Sequence, residues 1–294
     1  MNLNLKGVFS ALVTPFENGE VDYASLEKLV DYQINQGIQG LVVNGTTAES
    51  PTLSAGEVKK IFFLVRALVG IHFPLILGTG SNSTAKTVED TRNAAELGAN
   101  AALVVVPYYN KPPQRGLVQH FKAVAKNSEV PIILYNVPGR TITSMTAETI
   151  WELSEVKNII GIKEASGDIS FDQKIKSKLQ NNFIFLSGDD GSYIDFLKQG
   201  GHGIISVMSN IIPKLVVDWT QATLSGTVGE TETEFKKFKK LIDGMYVEAN
   251  PIPLKWMLYK KGLIKSPDLR LPLMSLDERF HPETLKLMEE SGIL

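Results

Sequence analysis

The chain has 294 residues, 43% of them hydrophobic, enough for one large core or for a barrel with an appendage. Its 30 basic and 32 acidic side chains leave a net charge of −2, which provides no broad basic field, so neither nucleic acid nor an anionic membrane is expected as a partner. With no cysteine, disulfides, thiolate nucleophiles and Cys-ligated metals are excluded, and a cytoplasmic setting is the expectation.

In chain order, residues 1–16 show no unbroken apolar stretch before a small-residue cleavage site, so no signal peptide is expected. A first β-branched run spans 7–13. Asp22 then precedes an apolar stripe at Leu26, Leu29, Val30 and Ile34, with Gly37 as a stop. A second run spans 38–44, and Ser54 with Glu57 forms a capping-box pattern before Ile61, Phe62 and Val65. A third run spans 74–78, and the next helical stripe, through Ala95 and Leu97, ends at Gly98. Further runs cover 101–107, 131–137, 159–164, 183–187 and 203–207. The starts lie 20 to 36 residues apart, the size of a βα unit. Strings such as Leu103-Val104-Val105-Val106 are apolar at every position, as expected when both faces of a parallel strand are covered. After the eighth run, helices are expected over 213–224, 230–249, 251–261 and 282–291. No apolar run is long enough to cross a bilayer, and a soluble protein is expected.

Eight βα units predict an α/β fold, a (β/α)8 TIM barrel with a small C-terminal helical extension. The division is placed at 1–210 for the catalytic barrel and 211–294 for the closing helix and extension. A doubly wound sheet is the alternative, but Gly78-Thr79-Gly80-Ser81-Asn82-Ser83 lacks the third glycine of a dinucleotide fingerprint.

In such a barrel the chemistry sits at the carboxyl ends of the strands. There the sequence offers Thr46 and Thr47, Tyr108 and Tyr109, Tyr135 and Arg140, Lys163, and Gly188-Asp189-Asp190. The histidines are scattered at positions 72, 120, 202 and 281, with only His202 expected near a barrel top, which disfavours a His-rich metal site. Alternation places Lys163 on the inner face between Gly161 and Ala165, residues too small to fill the barrel. An amine there loses hydration, which disfavours its charged form and opens attack on a ketone to give an imine. The ordinary alternative is a strand-end lysine that reaches solvent. Tyr135, on the neighbouring strand, suits proton transfer beside an imine carbon, where an aromatic that merely caps the barrel is the plain alternative. Thr46 and Thr47 can hold a carboxylate and extend a hydroxyl chain to Tyr135, or can simply cap the next helix. Arg140, in a Pro-Gly loop, suits bidentate capture of a carboxylate; its plain alternative is a solvated charge.

Six motifs resemble the dihydrodipicolinate synthase and N-acetylneuraminate lyase family. They are Gly45-Thr46-Thr47-Ala48-Glu49-Ser50, Pro107-Tyr108-Tyr109-Asn110, Tyr135-Asn136-Val137-Pro138-Gly139-Arg140-Thr141, Gly161-Ile162-Lys163-Glu164-Ala165, Ser187-Gly188-Asp189-Asp190 and Asn250-Pro251-Ile252-Pro253-Leu254-Lys255-Trp256. The resemblance implies pyruvate bound as an imine on Lys163, its carboxylate on Thr46 and Thr47, and Tyr135 as proton donor and acceptor. It implies a relay through Thr46 and Tyr109, with Tyr109 supplied by a neighbouring subunit of a homotetramer (a dimer being the lesser assembly), and backbone at Gly188 and Ile205 closing the pyruvate pocket. No cofactor and no metal are implied. The loop from Tyr135 to Thr141 resembles the synthases of the family, in which the arginine holds the carboxylate of aspartate β-semialdehyde. The implied reaction is therefore condensation with that aldehyde, at the entry to diaminopimelate and lysine. Another class I pyruvate aldolase, acting on N-acetylneuraminate or a 2-keto-3-deoxy sugar acid, is the alternative.

Ala48 replaces a glycine common in this motif, and its methyl is expected to be tolerated at negative φ. Lysine-inhibited members resemble this chain but carry an acid where it has Lys86, and histidine near Ala55 or Val58; weak or absent inhibition by lysine is expected. From other classes, a non-catalytic carboxylate-binding barrel has no need of a desolvated amine. A phosphate-binding isomerase is suggested only by Gly200-Gly201-His202-Gly203, where a tight turn is the commoner reason for glycine.

Overall fold

The computed structural model describes residues 5–294; the first four residues, where the stretch read for a signal peptide begins, lie outside the described residues. In chain order the elements begin β1 (Gly7–Ala11), β2 (Phe16–Glu17), β3 (Glu20–Val21), α1 (Tyr23–Asn35), β4 (Gly40–Val43), α2 (Ala55–Val69), β5 (Leu75–Gly78) and α3 (Thr84–Leu97). They continue with β6 (Ala101–Val105), α4 (Gln114–Lys126), β7 (Ile132–Asn136), α5 (Pro138–Thr141), α6 (Ala147–Ser154), β8 (Ile159–Glu164), α7 (Ile169–Lys176) and β9 (Ile184–Ser187). The last are α8 (Tyr193–Lys198), β10 (Gly203–Ser206), α9 (Pro213–Leu224), α10 (Gly229–Gly244), α11 (Ile252–Lys260) and α12 (His281–Glu290). Strands β1 and β4 to β10 form a closed barrel in the order β1-β10-β9-β8-β7-β6-β5-β4, the expected (β/α)8 architecture with C-terminal helices. Among the described residues no helix is long and apolar enough to cross a membrane.

The chain divides into two compact units. One comprises residues 5–7 and 74–205; the other comprises 8–73 and 206–294. In the first, β5 to β9 pair in parallel with their neighbours, and the registers place Tyr135 opposite Lys163 and Asn136 opposite Glu164. The consecutive apolar positions are buried as expected: Ile132, Ile133 and Leu134 are all fully enclosed. The β7–β8 pairing slips between Ile132 and Ile133, which partner Ile159 and Gly161, so Ile160 is an inserted residue and the alternation counts from Gly161 onward.

In the second unit β1 pairs with β4, and helices α1, α2 and α9 to α12 follow or precede them. Helix α1 starts where Asp22 accepts from Ser25 N at 3.0 Å, and α2 starts at the Ser54–Glu57 capping box read from the sequence. Two features differ from expectation. Phe16–Glu17 and Glu20–Val21 form a small antiparallel hairpin, turned by Asn18 and Gly19 at φ 53° and 81°, an Asn-Gly signal that the strand pattern alone does not expose because each arm is two residues long. Helix α10 stops at Gly244 instead of running to 249. A Cβ on Gly244 would lie 2.8 Å from Leu287 of α12, so that end of the helix is fixed by close packing, and the chain turns there toward Asn250.

His202 also needs correction. It directly precedes β10, and so belongs to the amino end of its strand, not to a barrel top. Its Nδ1 accepts from Phe185 N at 3.0 Å, and burial holds its pKa down at about 4. The neighbouring glycines are structural: a Cβ on Gly203 would strike the Gly7 carbonyl, which accounts for this segment without a phosphate.

Candidate active site

Lys163 lies on β8 and is 5% exposed, so it does not reach solvent as a strand-end lysine would. Tyr135, 7% exposed, occupies the matching register position on β7, and Lys163 Nζ lies 4.4 Å from the centre of its ring. The stem of the lysine runs beneath Gly188, the first residue after β9. A Cβ on Gly188 would come within 2.6 Å of Lys163 Cε and 2.7 Å of Ala165 Cβ. Only glycine leaves the lysine its path. Gly161 has a different reason from the one expected: a Cβ there would sit 2.6 Å from the Ile184 carbonyl, so its smallness lets β9 approach rather than opening space beside the amine.

A second layer sits behind this pair. Asn136 donates to Glu164 Oε2 at 2.8 Å, Ser166 N donates to Glu164 Oε1 at 2.6 Å, and Met145 N donates to Asn136 Oδ1 at 3.0 Å. Asn136 and Glu164 follow Tyr135 and Lys163 directly, so this bridge pins the register that sets tyrosine beside lysine. Burial pushes the Glu164 carboxyl up, opposed by its bonds from Ser166 and Asn136. Asp172 on α7 is enclosed, its Oδ1 accepts no hydrogen bond, and burial, with the charges of Glu164, Asp168 and Asp189, raises it to about 7. Sequence reading quoted Asn136 and Glu164 without a role; alternation facing them away from the barrel interior was the available signal.

The remaining groups of this unit are more dispersed. The N–H of Gly188 donates to the Glu164 carbonyl at 2.6 Å. Ile205 is fully buried in β10. Arg140 is exposed on the one-turn helix α5, where Val137 O accepts its N–H at 2.9 Å. Tyr109 does not join Lys163 and Tyr135: it projects from the loop after β6, 86% exposed, with its backbone at φ 73°. An aromatic residue in left-handed backbone is uncommon, and such positions cluster at functional sites. Burial holds His120 at about 4, so its ring is neutral near pH 7.

In the other unit, Thr46, Thr47 and Ala48 form a single 3-10 turn after β4, with Glu49 at its end in left-handed backbone. Ala48 keeps its methyl at negative φ, the condition on which it is tolerated; the left-handed positions are Asn44 and Glu49. The threonines do not cap the next helix, whose N-cap is Ser54. Thr47 is buried, and its hydroxyl accepts from Asn250 Nδ2 at 3.0 Å. Glu49 Oε1 accepts from Lys255 Nζ at 2.7 Å, with both side chains enclosed, and Glu49 Oε2 accepts from Arg270 N at 3.0 Å. Arg270 in turn holds Glu57 at 2.5 Å and the Thr52 carbonyl at 2.9 Å. None of these partners was foreseen, although the Asn250-to-Lys255 string was among the six motifs.

Fold and side chains together define a (β/α)8-barrel protein with a sequestered strand lysine and a tyrosine in register beside it. Within that class the chain belongs to the Dihydrodipicolinate synthetase family, whose model matches residues 4–291. It is 50% identical over 291 residues to a 4-hydroxy-tetrahydrodipicolinate synthase of Bdellovibrio bacteriovorus, covering 99% of each chain. The dihydrodipicolinate synthase structure from Thermotoga maritima superposes with a TM-score of 0.96 at 41% identity, over 98% of this chain and 99% of that one. The chloride-inhibited dihydrodipicolinate synthase of Acinetobacter baumannii, complexed with pyruvate, gives a TM-score of 0.96 at 40% identity, over 99% of this chain and 100% of that one.

Proposed function

We propose that this chain is a lyase of diaminopimelate and lysine biosynthesis that condenses pyruvate with L-aspartate 4-semialdehyde to 4-hydroxy-tetrahydrodipicolinate. The observation that carries the reading is the enclosed Lys163 with Tyr135 in register beside it and Gly188 clearing its path. The neutral amine adds to the pyruvate ketone and water leaves, giving an imine whose protonated form draws electrons from the methyl group. Loss of a methyl proton yields an enamine, which attacks the aldehyde carbon. The amino group of the second substrate then displaces Lys163 from the imine carbon and closes the ring.

In this reading Thr46, Tyr109 and Tyr135 move the protons. Thr46 and Thr47 hold the pyruvate carboxylate, backbone at Gly188 and Ile205 bounds the keto acid, and Arg140 holds the carboxylate of the aldehyde. The electron sink is the imine itself, so no cofactor or metal is required. The assembly is a homotetramer in which each subunit lends Tyr109 to a neighbour; the exposure and backbone strain of Tyr109 support this. The setting is the cytoplasm, as a cysteine-free chain allows.

Borohydride reduction in the presence of pyruvate, followed by peptide mass mapping, is expected to find one stable secondary amine, on Lys163. Modification elsewhere, or none, removes the assignment. Supplying N-acetylmannosamine and aspartate semialdehyde in turn then separates the family's aldolase activities, and only the semialdehyde is expected to be consumed.

A further inference from the structure

The string from Asn250 to Lys255 belongs to none of the groups that touch pyruvate in the proposed reaction, yet it leads straight to one of them. Asn250 is 4% exposed and its amide nitrogen donates to Thr47 Oγ1 at 3.0 Å. A threonine hydroxyl has one proton to donate and lone pairs to accept with. With the Asn250 amide nitrogen on a lone pair, the Thr47 hydroxyl keeps its own proton for another acceptor. Lys255 cannot receive that proton, because an ammonium only donates. The Lys255 ammonium is committed to Glu49 at 2.7 Å, and the other Glu49 oxygen is held by Arg270 N. Burial lowers Lys255 to about 8, with Glu49 pulling the other way.

The same ion pair fixes the turn that carries Thr47. Glu49 sits at φ 57° and ψ 40°, and its N–H donates to the Thr46 carbonyl at 3.1 Å, closing the turn around Thr47. That backbone region is unfavourable for a glutamate unless its surroundings hold it. The Lys255 ammonium and the Arg270 backbone N–H do so through its carboxylate, and the Lys255 and Arg270 cations lie over the ring of the buried Phe16, at 4.2 and 4.5 Å. A buried ion pair is a poor source of net stability, so its value here lies in geometry.

We infer that Asn250 is a positioning residue that aims the Thr47 hydroxyl proton at the keto-acid carboxylate, on a turn held in shape by the Glu49–Lys255 pair. This rests on the reading of Thr46 and Thr47 as the carboxylate cradle. Asn250 touches no substrate; it acts through Thr47, and its loss weakens pyruvate binding without slowing the chemistry that follows.

The test is a double-mutant cycle on the full-length protein, with pyruvate as the probe and borohydride trapping on Lys163 as the readout. Asn250→Leu, close in volume and unable to donate, is expected to raise the half-saturating pyruvate concentration about tenfold, the usual scale for one lost buried hydrogen bond. The trapping rate at saturating pyruvate should change less than about twofold. Thr47→Val should raise half-saturation at least as much, and the double variant no further than Thr47→Val alone. Effects of the two substitutions that multiply, or an Asn250→Leu protein whose half-saturation matches wild type, would overturn the inference while leaving Lys163 as the imine former. Failure of the unmodified protein to be trapped overturns the site reading and the inference together. If Asn250→Leu does not fold, as judged by its melting curve, the same cycle run with Asn250→Ser decides between multiplying and non-multiplying effects.

Discussion

A methyl group placed on Gly188 would strike Lys163 Cε at 2.6 Å and Ala165 Cβ at 2.7 Å. The lysine stem can bend aside, but Ala165 Cβ is fixed to its backbone, so Gly188→Ala must displace the lysine, the strand end, or both. Overpacking of this kind costs about 1–3 kcal/mol of stability and moves the amine off its line of attack. Trapping by borohydride should slow at least tenfold (about 1.4 kcal/mol in the barrier) while the fold survives in the melting curve. Asp172 makes a different prediction, because its carboxyl is raised to about 7 from 3.8 by burial and the acids around it. Between those values the folded protein holds a proton that the unfolded chain has released. Its contribution to stability is therefore complete below about pH 4 and is lost as pH rises through about 7. Asp172→Asn removes the charge without changing the shape. The variant is expected to exceed wild type at pH 8 by roughly 1–3 kcal/mol, with the gain closing toward pH 4, in urea titrations across that range.

At the scale of elements, the strands were legible because burial on both faces leaves a continuous apolar run, and all eight were found within two residues or so of their ends. The details that place the chemistry were less so. The slip between Ile132 and Ile133 depends on two strands at once, and no single run records it. The Glu49–Lys255 pair joins residues 206 apart in sequence, so neither side chain carries a local sign of its partner. Helix α3 shows the reverse case, in which one residue speaks for itself. Lys86 lies in its first turn, exposed, 3.0 Å from Asp90 one turn later. A cation there, near the positive end of the helix dipole, would repel the ammonium of an amino acid approaching this turn. Free lysine added up to the millimolar range is accordingly expected to leave turnover close to its starting rate, and a sharp fall at micromolar lysine would refute this. Lys86→Glu reverses the local charge, so any inhibition it permits should appear first in that variant.

At the scale of the whole molecule, the barrel supplies the rule by which residues from five different motifs read as one candidate set: catalytic groups of this architecture gather at the carboxyl ends of strands, whatever their separation in sequence. Tyr109 is the proposed exception, because a residue that served another copy of the chain would carry no mark of that copy in its own sequence. Its 86% exposure and φ of 73° are the only signs within one subunit. The proposed exchange of Tyr109 between subunits can be tested by mixing. Lys163→Ala chains keep Tyr109 but have no nucleophile, while Tyr109→Phe chains keep the nucleophile but should lose about 10²-fold in kcat with the proton relay broken. When the two are produced together and isolated as mixed oligomers by separate tags, some sites will hold Lys163 from one chain and Tyr109 from the other. Their activity should exceed the mean of the two parents, and the excess should vanish on dilution below the assembly concentration. Mixed oligomers that show only the mean would place Tyr109 in the service of its own chain and remove the argument for a homotetramer built around it.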